Sequence, residues 1–584
     1  MHSLLKIYKL SYQKKYIFFA IIAILFLLVE VGISLIIPYF SKQIIDNAIP
    51  NGDLNEVIKI GSIIVGIALG SVIAMAINNV AAQYLSVNIA TEMTVELFKK
   101  IQKLSLMNVD KITTGKLLTI VSNDTVQVQN IIRMSFRVII RAPLTLIGAI
   151  VMALFTNANI FLVILILVPT LTISLFFIFR KATPRFRLLQ LKIDNLNSKL
   201  EESIAGAREI KAFVTEAYEQ QKYEEVTEDY HQAIINANRI MASLDPVIMI
   251  ISNFAIAIIV YISALLLNKG NTKMVGTVMT YIQYVQQIIG SLMILTNVSV
   301  MLSRALISAE RIDNVLTMQI DIVNDPNAKI VDIKGDIEFN HVDFAYADEE
   351  GEQDGITLKD ITLKINYGEM IGVIGSTGSG KTSLVQLIPR LYDVYRGEVL
   401  IDGIDVRDID LDCLRHQISF VTQEAIIFEG TIGDNIRQGK NDATIEEMEE
   451  ASRLSAAYEF IESTPNKFDT LITQRGTSLS GGQKQRLSLA RALVRKPKIL
   501  ILDDSTSAVD ANTEAQIKNN LRTIKDTTVI IVAQKISSII DCDKIIVLSN
   551  TGTIDGFGKH EELLKTSSVY QEIYQSQFGG VKNE

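Results

Sequence analysis

At 584 residues the chain is too long for one ordinary domain. Hydrophobic residues make up 48% of it and charged ones still reach 21%, so the charges must be segregated from the apolar stretches. A net charge of −8, with no basic patch interleaved with aromatics, argues against a nucleic-acid partner. Two cysteines, Cys413 and Cys542, support neither a disulfide framework nor a metal site, which suits a reducing cytosol.

In chain order, Lys6, Lys9, Lys14 and Lys15 precede an apolar stretch, Ile17–Phe40, interrupted only by Glu30. The stretch is too long for a signal peptide and lacks a small-residue cleavage site. It therefore reads as a retained anchor with a cytoplasmic N-terminus. Uncharged runs follow at Ile60–Thr91, Ala142–Phe179, Pro246–Asn268 and Met274–Ser303. A bilayer needs ~20 apolar residues per helix. Six spans are predicted, at about residues 16–40, 57–85, 134–155, 158–180, 244–267 and 275–303, with Thr156–Asn159 as a polar turn. The loops Ser41–Glu56 and Asn268–Lys273 are short and lie outside. The segments Glu92–Arg133, carrying Lys99, Lys100, Lys103, Lys111 and Lys116, and Arg180–Arg239, starting with Arg180, Lys181, Arg185 and Arg187, are long and lie inside. Their helical periodicity predicts helices that run on beyond the membrane, with tips near 108–114 and 212–223 able to dock on a cytoplasmic domain.

After this all-α membrane domain (1–320) and a linker (321–335) containing Pro326, residues 336–584 change character. Strands are predicted at Ile337–Phe344, Met370–Ile374, Ile418–Thr422, Ile499–Leu502, Thr528–Val532 and Lys544–Leu548. Alternating with helices, they predict a mostly parallel α/β sheet. Between a strand and a helix lies Gly375-Ser376-Thr377-Gly378-Ser379-Gly380-Lys381-Thr382. A glycine-rich loop in that setting offers backbone N–H groups to phosphate, Lys381 adds positive charge at the β/γ-phosphates, and Thr382 supplies a hydroxyl for Mg2+. Asp503 ends an apolar strand, where an acid is costly without a partner, and a role near Mg2+ explains it. Gln423 could reach Mg2+ and the attacking water, or be a surface amide. Tyr346 could stack on adenine, or be an ordinary strand aromatic.

This array resembles the nucleotide-binding domain of ABC transporters, and the six preceding helices resemble an exporter-type half-transporter, over nearly the whole chain. The resemblance implies a P-loop NTPase fused to the membrane domain, using ATP and Mg2+ in a bacterial plasma membrane with the cassette cytoplasmic. It implies that Leu479-Ser480-Gly481-Gly482-Gln483 caps the γ-phosphate held by a second subunit, with Ser480 and Gly482 as donors. It further implies that Ser507–Asp510 is the cross-talk loop between two sites and that the two tips are coupling helices.

Three positions depart from that family. Asp504 stands where a water-polarising glutamate is expected, Gln534 where a switch histidine is expected, and Gln474 where a glutamate contacts the coupling helices. With the phosphate loop and capping motif intact, the pattern resembles the degenerate-site subunit of heterodimeric multidrug exporters. Such a chain binds ATP, hydrolyses it poorly at its own site, and completes a partner's competent site. A non-cycling regulatory subunit and a homodimeric lipid or peptide exporter are the other readings. The expected partners are a second half-transporter, membrane lipids and a hydrophobic or amphiphilic substrate. Candidates along the substrate path are Glu30, Arg137 (with Arg133 and Arg141 at i−4 and i+4), Gln283 and Gln287, beside Gln286. Each could equally serve helix packing or the membrane interface.

Overall fold

The computed structural model describes residues 14–268, 274–347, 353–473, 476 and 478–578. Lys6, Lys9, Gln474 and most of the Asn268–Lys273 loop lie outside the described residues. The chain divides into two units, Met1–Lys99 with Leu118–Thr317, and Lys100–Leu117 with Met318–Glu584. A short excursion of the membrane-side chain therefore belongs to the C-terminal unit.

The first unit is helical. Its helices, with those of the excursion, are α1 (Lys14–Gln43), α2 (Leu54–Ile101), α3 (Leu106–Ile112), α4 (Thr114–Thr119), α5 (Thr125–Met134), α6 (Arg141–Thr156), α7 (Ala158–Ala205), α8 (Ala207–Phe213), α9 (Glu216–Met241), α10 (Leu244–Asn268) and α11 (Val275–Thr317). Among the described residues, six helical stretches are long and apolar enough to cross a membrane. The helices outrun the predicted spans. At ~1.5 Å per residue, the 48-residue α2 and α7 reach roughly 70 Å, more than twice a ~30 Å hydrocarbon core. The second tip comes earlier than 212–223. Gly206 ends α7, α8 stops where Val214 turns left-handed (φ 56°), and α9 has already begun at Glu216.

Lipid offers no hydrogen bonds, so backbone groups freed inside this unit must find internal partners. Pro38 lies inside α1 and has no N–H for the carbonyl four residues back, that of Ser34. Gln287 Nε2 donates to that carbonyl at 3.0 Å. Asn78 donates to the carbonyls of Ala23 (2.7 Å) and Phe136 (3.2 Å), the latter within a π-helical turn, Ser135–Ile139. The Tyr281 hydroxyl reaches the carbonyls of Ala153 and Asn157 at the end of α6, and the Tyr284 hydroxyl reaches that of Leu35. Asp46, buried in another π turn (Ile44–Ala48), accepts from the N–H groups of Gly276 (2.6 Å) and Thr277 (3.1 Å). It thus sets a negative charge at the N-terminus of α11. Asp124 closes a third π turn, Ile120–Asp124, and takes Ser308 (2.8 Å) and Arg311 (2.7 Å) from the far end of α11.

Two of the residues expected along a substrate path therefore have structural partners: Gln287 as above, and Glu30, buried and ion-paired with Arg141 at 3.1 Å. Arg133 binds Asn130 on its own helix, while Arg137, Gln283 and Gln286 are exposed. The π turn at 135–139 interrupts the α-helical spacing that would align the three arginines on one face.

In the second unit, buried runs such as Met370–Gly375, Ile499–Asp503 and Thr528–Val532 lack polar alternation, as strands covered on both faces do. The strands are β1 (Ile337–Ala347), β2 (Gln353–Ile365), β3 (Met370–Gly375), β4 (Arg396–Ile401), β5 (Ile404–Asp405), β6 (Ile418–Val421), β7 (Gly430–Thr431), β8 (Leu471–Ile472), β9 (Ile499–Asp503), β10 (Thr528–Val532), β11 (Lys544–Leu548) and β12 (Ile554–Gly558). One sheet runs β12-β11-β3-β10-β9-β6, parallel except for the β12 edge. A second sheet, β2-β1-β4-β5, is antiparallel throughout, and the strand predicted at Ile337–Phe344 belongs to it rather than to the parallel sheet. Its first strand, β1, carries polar and apolar residues in alternation, but the glycine-turned partners around it gave no separate signal.

Burying a carboxylate is costly unless its partner stays. Arg141→Ala, which strands Glu30, is therefore expected to lower the melting temperature of the detergent-solubilised chain more than the pair Glu30→Gln/Arg141→Ala does. Equal losses would mean that the two side chains are not energetically coupled.

Candidate functional site

The loop after β3 enters a helix at Lys381 (Lys381–Leu387), at the carboxyl end of the parallel sheet, where open α/β sheets bind ligands. Two glycines are required there. A Cβ on Gly375 would sit 2.6 Å from the Leu548 carbonyl, and Gly380 holds φ 88°, where its Cβ would meet Leu358 at 2.7 Å. Lys381 Nζ donates to the carbonyls of Gly375 (2.9 Å) and Ser376 (2.8 Å), which folds the lysine over its own loop. Thr377, Gly378, Gly380, Lys381 and Thr382 face a cavity of about 340 Å³ shared with Tyr346, Gln423, Asp503, Asp504 and Gln534. The structure thus brings together residues predicted from five separate stretches of sequence.

Each carboxylate arrives on a strand end. Asp503, the last residue of β9, is buried and accepts a hydrogen bond from Thr382 Oγ1 at 3.0 Å. A hydroxyl and a carboxylate side by side form the hard-oxygen donor set that Mg2+ takes. Burial raises the Asp503 carboxyl above the usual aspartate range, against the lowering effect of the Thr382 bond. Burial also raises Asp504, countered by the nearby Lys381 ammonium. Burial lowers the Lys381 ammonium, countered by Asp504 and Asp503. Among the described residues, the buried hydroxyl of Ser379 has no hydrogen-bond partner. A polar group left unsatisfied inside a nucleotide-sized cradle is consistent with a polyanion completing it.

The two departures from the expected catalytic pair meet each other. Asp504 has a left-handed backbone (φ 47°), pinned by its N–H to the Val532 carbonyl at 3.0 Å. One of its oxygens, Oδ2, accepts from Gln534 Nε2 at 2.9 Å and from Gln423 Nε2 at 3.2 Å. Gln423, expected to face metal and water, borders the cavity and turns its amide N–H to Asp504.

The capping motif lies elsewhere. Ser480 and Gln483 form a capping box at the start of the helix Gly481–Leu493: Ser480 N–H donates to Gln483 Oε1 (2.9 Å), and Gln483 N–H to Ser480 Oγ (3.3 Å). None of Leu479, Ser480, Gly481, Gly482 or Gln483 lines the cavity holding Lys381. A Cβ on Gly482 would press the Ala508 carbonyl at 2.9 Å, so the motif seats the loop Ser507–Asp510 closely. Asp510 caps the next helix by accepting from the Thr513 N–H at 3.0 Å.

Sequence reading missed several partners. Gln485 braces the loop Ser507–Asp510, accepting from Ala508 N–H at 2.9 Å. Ser383, one residue past Thr382, binds the Tyr346 hydroxyl at 2.9 Å. Asn550 holds Ser376, from a turn with no motif of its own. Gln485 and Ser383 lie beside recognised motifs, so proximity alone could have flagged them.

Residues 20–292 match the family model described as the ABC transporter transmembrane region, and residues 358–507 match that described as ABC transporter. The ABC transporter ATP-binding protein YfiB of Bacillus subtilis (strain 168) is 37% identical over 571 residues, covering 98% of each chain. The ATP-dependent lipid A-core flippase of Syntrophus aciditrophicus (strain SB) is 32% identical over 497 residues, covering 85% of this chain and 81% of the flippase. A solved bacterial Atm1-family ABC exporter with ATP bound superposes with a TM-score of 0.78 at 23% identity, covering 98% of this chain and all of that one; this is a likeness of fold.

A carboxyl whose pKa is raised stays protonated to higher pH, and the protonated acid holds a cation poorly. Mg2+-dependent ATP binding is therefore expected to weaken as the pH is lowered from neutral into the acid range, beginning at a higher pH than an ordinary aspartate would require. Asp503→Asn should bind more weakly and respond less to pH over that window. Equal affinity of the unmodified protein at both ends, measured by equilibrium titration, would refute this.

Proposed function

The chain belongs to the ABC transporter family as an exporter-type half-transporter, a multi-pass membrane protein whose cassette drives transport with ATP, and we propose that it is the degenerate-site subunit of a heterodimer. The observation that carries this reading is the Asp504 carboxylate, one methylene shorter than a glutamate and tied through one oxygen to the amides of Gln534 and Gln423. A general base must come within ~2.6–3.2 Å of the water it activates. Shortening the arm by one bond, ~1.5 Å, takes it out of that range, and misplacement of this order can cost ~10²-fold in rate. Gln534 brings an amide where the relatives' expected histidine would bring a ring and a positive charge.

In this reading Tyr346 stacks on adenine, Gly375–Thr382 cradle the phosphates, and Thr382, Asp503 and Gln423 are the side chains that would hold Mg2+. When bound, that ion neutralises phosphate charge. ATP stays in this site while Ser480, Gly482 and Asp510 face the nucleotide of a second half-transporter, which supplies the missing glutamate and histidine. The separation of the capping motif from the chain's own cavity supports a two-chain unit, since one cassette cannot close over its own phosphates. The N-terminus and cassette lie in the cytoplasm of a bacterium, and the cargo is a hydrophobic or amphiphilic compound moved outward. Of the residues considered for its path, the exposed Arg137 and Gln283 are better placed to meet it than the engaged Glu30 and Gln287.

The chain purified alone in lipid should show near-background ATPase activity, and Asp504→Glu/Gln534→His should raise it by about ten- to a hundredfold. Brisk, substrate-stimulated turnover by the unmodified chain would instead establish a working homodimer with Asp504 as its base.

A further inference from the structure

Tyr346 is one of three aromatic rings set edge to face. Phe344 and Tyr346 lie 4.8 Å apart between centroids, Tyr346 and Tyr392 5.3 Å, and Phe344 and Tyr392 5.7 Å. Phe344 and Tyr392 are buried, whereas Tyr346 borders the cavity. Its hydroxyl is occupied by Ser383, so the ring is oriented from its far end. Tyr392 has a different polar partner: its hydroxyl donates to Asp110 Oδ2 at 2.6 Å. Asp110 belongs to α3, within the stretch Lys100–Leu117 that packs as part of the C-terminal unit.

Helix α3 is built to be held as a rigid piece. Ser105 and Asn108 form a capping box at its start, and Thr113 ends it with φ 68°. Asn108 Nδ2 also donates to Asp321 at 2.7 Å, and Met107 packs against the hydrophobic cluster that contains Phe344 and Tyr392. Tyr392 itself sits in a braced turn. The helix Lys381–Leu387 ends in a turn with Arg390 left-handed (φ 51°), and the Arg390 guanidinium grips Asp393 through two nitrogens, at 2.7 and 3.2 Å. One side chain thus touches both the ring at the cavity edge and an acid on a helix that the chain joins to membrane-crossing segments on either side.

We propose that Tyr392 is a positioning residue that reports occupancy of the base platform, Tyr346, to α3 through its hydroxyl bond to Asp110. The proposal rests on Tyr346 being the surface on which adenine stacks. A base pressed on the exposed face of Tyr346 restricts that ring, the restriction passes by edge-to-face contact to Tyr392, and the Tyr392–Asp110 bond is steadied or released accordingly. The input is the base rather than the phosphates, because the phosphate loop and Lys381 make no contact with the Tyr392 ring among those described.

The test uses the full chain in phospholipid nanodiscs and follows backbone hydrogen exchange of residues 105–113. Mg2+ with ATP should slow exchange there by about tenfold, the scale of one hydrogen bond to a charged group, and Mg2+ with inorganic tripolyphosphate should do so far less. Tyr392→Phe keeps the ring and loses only the hydroxyl. It should keep ATP affinity within about twofold and lose the ATP-dependent slowing. Asp110→Ala, on an exposed residue, should do the same and serves if Tyr392→Phe is poorly folded. Retention of the slowing in these variants, or an equal effect of tripolyphosphate, overturns the proposal. Tyr346→Ala separates the two layers. If it leaves ATP affinity unchanged, the platform reading falls and the relay with it. If it lowers affinity while Tyr392→Phe retains the ATP response, the relay alone is wrong.

Discussion

The C-terminal unit depends on the parallel pairing of β3 with β10 and of β10 with β9. Val373 pairs with Val532, and Val532 with Asp503, so three strands end at one level. From that level the phosphate loop, the Asp503–Asp504 pair and Gln534 all emerge. Parallel strands require crossovers that bury both faces of the sheet, which is why these strands are apolar along their whole length. Polar chemistry is then confined to the carboxyl ends, where the chain leaves the core. The cost of desolvating two adjacent carboxyls is met locally by Thr382, Gln534, Gln423 and the Lys381 charge.

The helical unit follows a different constraint, the absence of water in lipid. There several irregularities in the helices are matched by donors from another helix. Pro38 frees a carbonyl and Gln287 takes it. The π turns at 44–48 and 120–124 present Asp46 and Asp124, and the two ends of α11 engage them. Residues that look like substrate contacts when read along the sequence are in part this internal repair. A glutamine in a membrane span has few alternatives to a backbone carbonyl, and the prolines decide where such carbonyls lie.

Asp504 and Gln534 illustrate how departures from a motif acquire meaning. Read singly, each is a conservative-looking replacement. In the structure they form one hydrogen-bonded pair, extended by Gln423, at a residue whose left-handed backbone leaves the carboxylate little freedom of direction. The two positions at which a water-polarising glutamate and a switch histidine were expected here satisfy each other. This is the physical content behind reading the site as one that retains nucleotide.

The sequence by itself determined the six apolar helices, the α/β cassette, the phosphate loop and the identity of the unusual residues. Each of these is local, resting on runs of apolar residues, on periodicity, or on a short motif whose chemistry is carried by adjacent positions. What only the tertiary structure decided is which of those residues meet. The pairing of Glu30 with Arg141, the docking of Ser383 under Tyr346, the antiparallel second sheet and the hydroxyl of Tyr392 on Asp110 join positions far apart in the chain. Such contacts leave no periodic trace, because they are selected by packing in three dimensions rather than by spacing along the backbone.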